Sequence, residues 1–296
     1  MLTSSEISSL SRYGDNKQII KLMKESGFDA YDFSMFTDEN LNPQKNTMLD
    51  ELICKDDYVA KAKEQRKFAD DINIVCNQTH APFPTFIKDN NEFNNKVFEL
   101  TAKAIEVSGI LGAKCCVIHP NCFCSVEQNK KFYTRLEPYA KDAGIKIALE
   151  NMFARDPQTK ELMPEACTPH DNFKAHLDVL DERYFGACVD IGHAQLKNMR
   201  TDAATMIKVL GKRVIALHVH DNDCGQYDRH QLPFTMNVNY DPIIDALAES
   251  GYDGDITLEA VSFLPKFPIP LYRSALKLMA SVAEYIRDEV VKRKQQ

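Results

Sequence analysis

The sequence predicts an α/β fold of the (β/α)8 barrel class, read as a single domain over residues 1–296, and three observations carry that prediction. Short apolar runs alternate with helical stretches along most of the chain, the rhythm of right-handed β–α–β crossovers in a parallel sheet. Seven of these runs are clear, and a weaker one precedes Asp15; eight such units in about 250 residues or more close into a barrel. Six strand ends carry an ionisable residue: His80, His119, Glu150, Asp190, His218 and Glu259. In a barrel those ends converge on one mouth, where barrel active sites lie. An open doubly wound sheet is the alternative, but no Gly-x-Gly-x-x-Gly follows any strand, so a dinucleotide site lacks its fingerprint.

The elements follow in order. Ser4 to Leu10 is a serine-crowded candidate for an atypical first strand. Asp15 is placed to cap a helix whose apolar positions are Ile19, Ile20, Leu22 and Met23, and Gly27 closes it. Phe28 to Ser34 alternates like a strand, Met35 to Leu52 reads as a long polar loop containing Asn42-Pro43, and Asp56 to Asp71 is a helix rich in Lys, Ala and Glu. Ile72 to Val75 is then expected as a strand leading to Thr79-His80-Ala81-Pro82-Phe83. The remaining strands are Cys115–Ile118, Ile145–Leu149, Phe185–Val189, Val214–Leu217 and Ile256–Leu258. Helices are expected over Asn91–Leu111, Lys130–Ala143, from Pro169 to Leu180, Thr201–Leu210, Asp241–Glu249 and Leu271–Lys292, most of them closed by a glycine.

The totals narrow the function classes. Hydrophobic content of 44% and charged content of 27% fit an ordinary globular protein with ample core. A net charge of −7 argues against a nucleic-acid partner, which needs a clustered basic face. Nine cysteines, with Cys76, Cys115, Cys116 and Cys188 in apolar runs and no Cys-x-x-Cys pair, read as small core residues of a cytoplasmic protein. The polar start and the lack of a long apolar stretch predict neither a signal peptide nor a membrane span.

Four of the strand-end residues form a chemical set. Glu150, Asp190, His218 and Glu259 offer three carboxylates and one imidazole from four different strands. Such an oxygen-rich site suits one divalent ion, Mn²⁺ first, with Mg²⁺, Co²⁺ or Zn²⁺ as alternatives. Taken singly, each has a bland reading, because a carboxylate at a strand end often only caps the next helix. After Leu217 the cluster continues through His218, His220, Asp221 and Asp223 to Asp228-Arg229-His230. His193 follows Asp190 by three residues and points to the same mouth, while Arg229 is either the cation over that mouth or a surface ion-pair partner. Phe83, Phe86 and Phe153 sit in loops at that end and could wall it off from water.

These pieces resemble the xylose-isomerase-like TIM barrel superfamily, which contains sugar and sugar phosphate isomerases and epimerases, among them the ketose 3-epimerases, together with endonuclease IV. The matching segments are His80-Ala-Pro-Phe83, His119-Pro120, Leu149-Glu150-Asn151, Asp190-Ile-Gly-His193, Leu217 to Asp223, Asp228-Arg-His230 and Leu258-Glu259. The N-terminal Thr3 to Ser9 departs from the family's usual first strand. The resemblance implies a metal held by Glu150, Asp190, His218 and Glu259, with Glu150 and Glu259 as the catalytic pair that removes and returns a proton next to a carbonyl. A cation on the carbonyl and hydroxyl oxygens stabilises the enediolate that forms between those steps. His80, His119, His193, Asp228, Arg229 and His230 are then expected to face a small-molecule sugar substrate, and a homo-oligomer is left open. No glycine-rich anion loop stands out, which favours an unphosphorylated sugar.

Two other chemistries share the same residues. A dehydratase or lyase would begin with the same proton abstraction and then expel a neighbouring group. The resemblance to endonuclease IV implies instead three zinc ions, with His80, His119, His193, Asp228 and His230 as further ligands, and every one of those positions holds a suitable residue. A binding module that kept a metal site would hold the ion without exchanging substrate protons.

Overall fold

The computed structural model describes residues 1–35, 41–42, 47–48 and 52–296. Most of the polar loop expected over residues 35–52 lies outside the described residues, apart from a two-residue antiparallel pairing of Leu41–Asn42 with Thr47–Met48. Among the described residues, eight parallel strands form the barrel: β1 (Thr3–Ser5), β2 (Ala30–Ser34), β3 (Val75–His80), β4 (Cys115–Ile118), β5 (Lys146–Glu150), β6 (Phe185–Asp190), β7 (Val214–His218) and β8 (Ile256–Leu258). β2 to β7 form one continuous sheet in sequence order. β1 pairs with β8 in register from Thr3↔Ile256 to Ser5↔Leu258. Isolated bridges at Glu6↔Asp32 and Val219↔Leu258 link that pair to β2 and β7 and close the ring. The serine-rich start is thus a strand, shorter than the span expected and followed by a 3₁₀ turn at Ser8–Leu10.

Helices return the chain between strands: α1 (Asn16–Ser26), α2 (Tyr58–Asp71), α3 (Asn91–Leu111), α4 (Val126–Ala143), α5 (His170–Asp178), α6 (Ala203–Leu210), α7 (Asp241–Glu249) and α8 (Tyr272–Arg293). Their ends follow local chemistry. Asp15 caps α1 in a reciprocal capping box with Gln18, and Gly27 leaves it in the left-handed conformation at φ 107°. α4 starts four residues before the expected Lys130, because Ser125 and Gln128 form a second capping box.

One strand differs from the sequence reading. Ile72 to Val75 was the expected strand, but Ile72 terminates α2 and Asn73 turns the chain at φ 55°. β3 is instead the polar run Val75–His80, buried from Cys76 onward. A polar strand survives burial because the barrel interior is itself polar and its groups bond one another. Ser4 donates to Thr257 at 2.8 Å, Asn77 to Thr257 at 3.0 Å, Thr257 to Gln78 at 3.2 Å, and Gln78 to Asp32 at 3.0 Å. The rest of the lumen is filled by a small cluster of Cys115, Val117, Ala148, Cys188 and Ala216. The larger apolar core lies outside the strands, against the helices. Cys76, Cys115, Cys116 and Cys188 are buried and carry free thiols, as small core residues would.

Among the described residues no helix is long and apolar enough to cross a membrane. β8 has only three residues, yet it closes the ring, and Leu258 on it is fully buried. Leu258→Ala should cost about 2–5 kcal/mol in chemical denaturation; a loss below about 1 kcal/mol would mean that the seam relaxes to fill the cavity.

Candidate metal centre

The strand register brings the ionisable strand ends to one mouth. Asp190 sits beside His218, and Glu150 beside Cys188. Nδ1 of His218 lies 3.2 Å from Glu150 Oε1, 3.4 Å from Glu259 Oε2 and 3.9 Å from Asp190 Oδ2. The four expected ligands therefore offer one donor atom each within 4.8 Å of one another. Asp190 also keeps the bland role: its Oδ1 accepts from the His193 backbone N–H at 2.6 Å and starts the single helical turn Ile191–Ala194.

Two further donor groups flank this set. On one side His80, His119 and Glu150 converge, with His119 Nε2 3.1 Å and His80 Nε2 3.4 Å from Glu150 Oε2. On the other, His193, His220, Asp228 and His230 converge, with Asp228 Oδ2 3.0 Å from His193 Nε2 and 2.6 Å from His230 Nε2. Glu150 belongs to two of the groups. The sequence reading names His220 in the cluster after Leu217 but assigns it no role in the site. It was legible, because His218 and His220 are two apart and strand alternation puts both on one face. Its ring fits only because residue 192 is glycine: a Cβ there would meet His220 Cε1 at 1.9 Å.

The imidazoles are held in one orientation. His80 Nδ1 is 2.7 Å from the Ala81 carbonyl, His193 Nδ1 is 3.0 Å from the Asn151 carbonyl, and His230 Nδ1 is 3.0 Å from the Glu259 carbonyl. A carbonyl accepts only, so each Nδ1 carries a proton, and each Nε2 is the atom turned to the site, with a lone pair to offer once it is deprotonated. This is how metal-ligating histidines are oriented. Nε2 of His80 then faces Nε2 of His119 at 3.1 Å. At that distance either His119 Nε2–H donates to His80 Nε2 or a cation lies between the two nitrogens.

The charges show the same crowding. Burial opposes ionisation of Glu150, yet His218 and His119 hold its carboxyl well below the usual range. Burial, against the pull of His218 and His230, pushes Glu259 up to about 6. Burial drives His119 down to about 4. Burial also works against the charged form of His230, but Asp228 outweighs it and raises the imidazole to about 9. The donor set, the fixed tautomers and the facing nitrogens fit a divalent cation, and more than one could be accommodated.

Supporting contacts come from the loops. Asn151 ties Asp190 at both backbone atoms, donating to its carbonyl at 2.9 Å and accepting its N–H at 2.8 Å. Asp221 accepts the backbone N–H groups of Met236 and Val238, both at 2.9 Å, and so folds the long segment after β7 over the rim. Phe83 stacks on His119 with ring centroids 4.3 Å apart, and Phe153 meets His193 edge-on at 4.9 Å. Phe86 does not join them; it lines a separate cavity of about 320 Å³ with Phe98 and Phe132. Arg229 stands outside the donor cluster, exposed, with Nε 2.9 Å from Asp223 and its guanidinium over Tyr227. Of the two readings open for Arg229, the structure shows the surface ion pair.

A cation on His230 Nε2 must displace the proton that the imidazole carries at pH 7 when its pKa is about 9. Metal uptake at pH 7 should therefore release protons, and affinity should rise from pH 7 to pH 9. Calorimetry in buffers of different ionisation enthalpy measures this. Buffer-independent heats would show that His230 is not a ligand.

Comparison with known proteins places this geometry. The family model described as a xylose isomerase-like TIM barrel matches residues 20–282. The chain is 27% identical over 283 residues to the uncharacterised protein MJ1311 of Methanocaldococcus jannaschii, covering 91% of this chain and 84% of that one. It superposes on a D-tagatose 3-epimerase-like protein with a TM-score of 0.67 at 20% identity, covering 98% of this chain and 100% of that chain. It also superposes on D-psicose 3-epimerase in the presence of D-fructose with a TM-score of 0.69 at 11% identity, covering 97% and 99%. At those identities the superpositions speak to the fold.

Proposed function

We propose a function from one premise: the chain belongs to the xylose isomerase-like TIM barrel family. The reading is a single-domain sugar isomerase or epimerase that moves a proton on a carbon next to a carbonyl and depends on a divalent cation, Mn²⁺ first. One observation carries it. Glu150 and Glu259 approach the same His218 nitrogen from two strands, at 3.2 and 3.4 Å, and their environments drive their titrations apart. Two carboxylates separated in this way can divide the roles of base and acid.

The cation, held by Glu150, Asp190, His218 and Glu259, would supply Lewis-acid polarisation of a carbonyl oxygen. The chain's residues do the rest. Glu150, held ionised, takes the proton from one face of the sugar, and Glu259, the more exposed and more readily protonated of the pair, delivers a proton drawn from solvent to the other face. His119, Asp228 and His230 are the partly exposed groups at the rim and orient substrate hydroxyls there. Phe83 and Phe153 shield the reacting carbon from water. The names of the superposed epimerases make ketoses the substrate class to try first.

A second reading, hydrolysis of a phosphodiester, is favoured by the two flanking donor groups, which join the central set through the shared Glu150. Incubation of metal-loaded protein with a ketose panel in heavy water separates the two. The first reading predicts deuterium at a sugar carbon, abolished in a folded Glu150→Gln variant. Cleavage of bis(p-nitrophenyl) phosphate with no carbon exchange would replace it with the second.

A further inference from the structure

We infer that Asp32, on β2 and behind the site, is a positioning residue that fixes the tautomer of His218 and thereby aims Nδ1 at the central cation; the inference rests on the metal reading above. Asp32 is fully buried, and its Oδ1 has no hydrogen-bond partner among the described residues. His218 is fully buried too, and its Nε2 likewise has none. His218 Nε2 lies 3.9 Å from the other carboxylate oxygen, Oδ2, which accepts from Gln78. The inference requires the His218 ring to turn toward Asp32 until that separation reaches hydrogen-bond length. On its other side the ring directs Nδ1 at Glu150 and Glu259. With Nε2–H committed to a carboxylate, Nδ1 has only its lone pair to offer, which is the arrangement a metal ligand needs.

The barrel is built to hold Asp32 in place. The register between β2 and β3 shifts at Tyr31/Asp32, where the partners pass from Cys76 to Gln78 and leave Asn77 as an extra residue. That bulge lets both Asn77 and Gln78 reach the lumen. Gln78 Nε2 then donates to Asp32 Oδ2 at 3.0 Å, while Gln78 Oε1 accepts from Thr257, itself bonded to Ser4 and Asn77. A buried carboxylate is costly unless something uses it. The groups facing the His218 ring on this side are Asp32, the Cys188 thiol and the stacked ring of His80 at 5.6 Å. Of these, only Asp32 is an acceptor held by a hydrogen-bond network.

The test is cation affinity. Co²⁺ titration against a competing chelator, read by visible absorption, should show about 10–100-fold weaker binding in Asp32→Asn. Cys188→Ala should bind as the wild type does. Melting of the metal-free proteins reports folding separately. An Asp32→Asn variant that folds and binds Co²⁺ with wild-type affinity overturns the inference, as does a loss confined to Cys188→Ala. A wild type that takes up no cation overturns the metal reading itself. Should Asp32→Asn fail to fold, long-range ¹H–¹⁵N correlation on the Zn²⁺-loaded wild type decides. The inference requires His218 protonated at Nε2 with a downfield, hydrogen-bonded proton; protonation at Nδ1 overturns it.

Discussion

The arrangement at the barrel mouth depends on one constraint: too many acceptors share too little space. Glu150, Asp190, Asp228 and Glu259 meet six imidazoles within a site whose members are buried or nearly so. Backbone carbonyls hold the Nδ1 protons of His80, His193 and His230, which turns their Nε2 atoms inward. Such an assembly is stable only when positive charge sits among the donors, supplied by protons or by cations. The raised His230 and His193 and the depressed Glu150 are the proton solution to that problem. A divalent cation is the other solution, and it would release those protons.

The surrounding fold serves that constraint. A lumen of Ser4, Asp32, Gln78 and Thr257 under the site is unusual for a barrel, whose interior is commonly filled by branched apolar side chains. Here it forms a hydrogen-bonded floor whose Asp32 lies 3.9 Å from His218 Nε2. Above it, Asn151 clamps Asp190, and Gly192 leaves room for His220. The site is therefore braced from the lumen and from the loops, which keeps its donors in place before any ligand arrives.

The sequence made the frame legible because strands buried on both faces are apolar and end abruptly in charge. Glu150, Asp190, His218 and Glu259 stand out on that ground, as do His80 and His119, whereas His193, Asp228 and His230 stand out by following such ends and by the resemblance. What it hid has a physical reason. β3 was misplaced because its buried residues are polar, and polarity reads as loop until the lumen that satisfies it is known. Asp32 reads as an ordinary strand residue for a different reason: its partner Gln78 and its neighbour His218 lie 46 and 186 positions away. Arg229 leaves two readings open in the sequence, a cation over the mouth or an ion-pair partner, and its pairing with Asp223, six residues before it, is visible only in the fold.

That the site is a metal centre is the claim on which the chemistry turns, and elemental mass spectrometry of protein purified without chelator tests it most directly. The account predicts at least one tightly held divalent ion per chain, retained through gel filtration and lost in Glu150→Gln, since Glu150 serves two donor groups. Near one ion of the Mn²⁺ type fits proton transfer on a sugar, and near three zinc ions fits the hydrolytic reading. A wild-type protein that is metal-free as purified and cannot be loaded with Mn²⁺, Co²⁺ or Zn²⁺ would contradict the account.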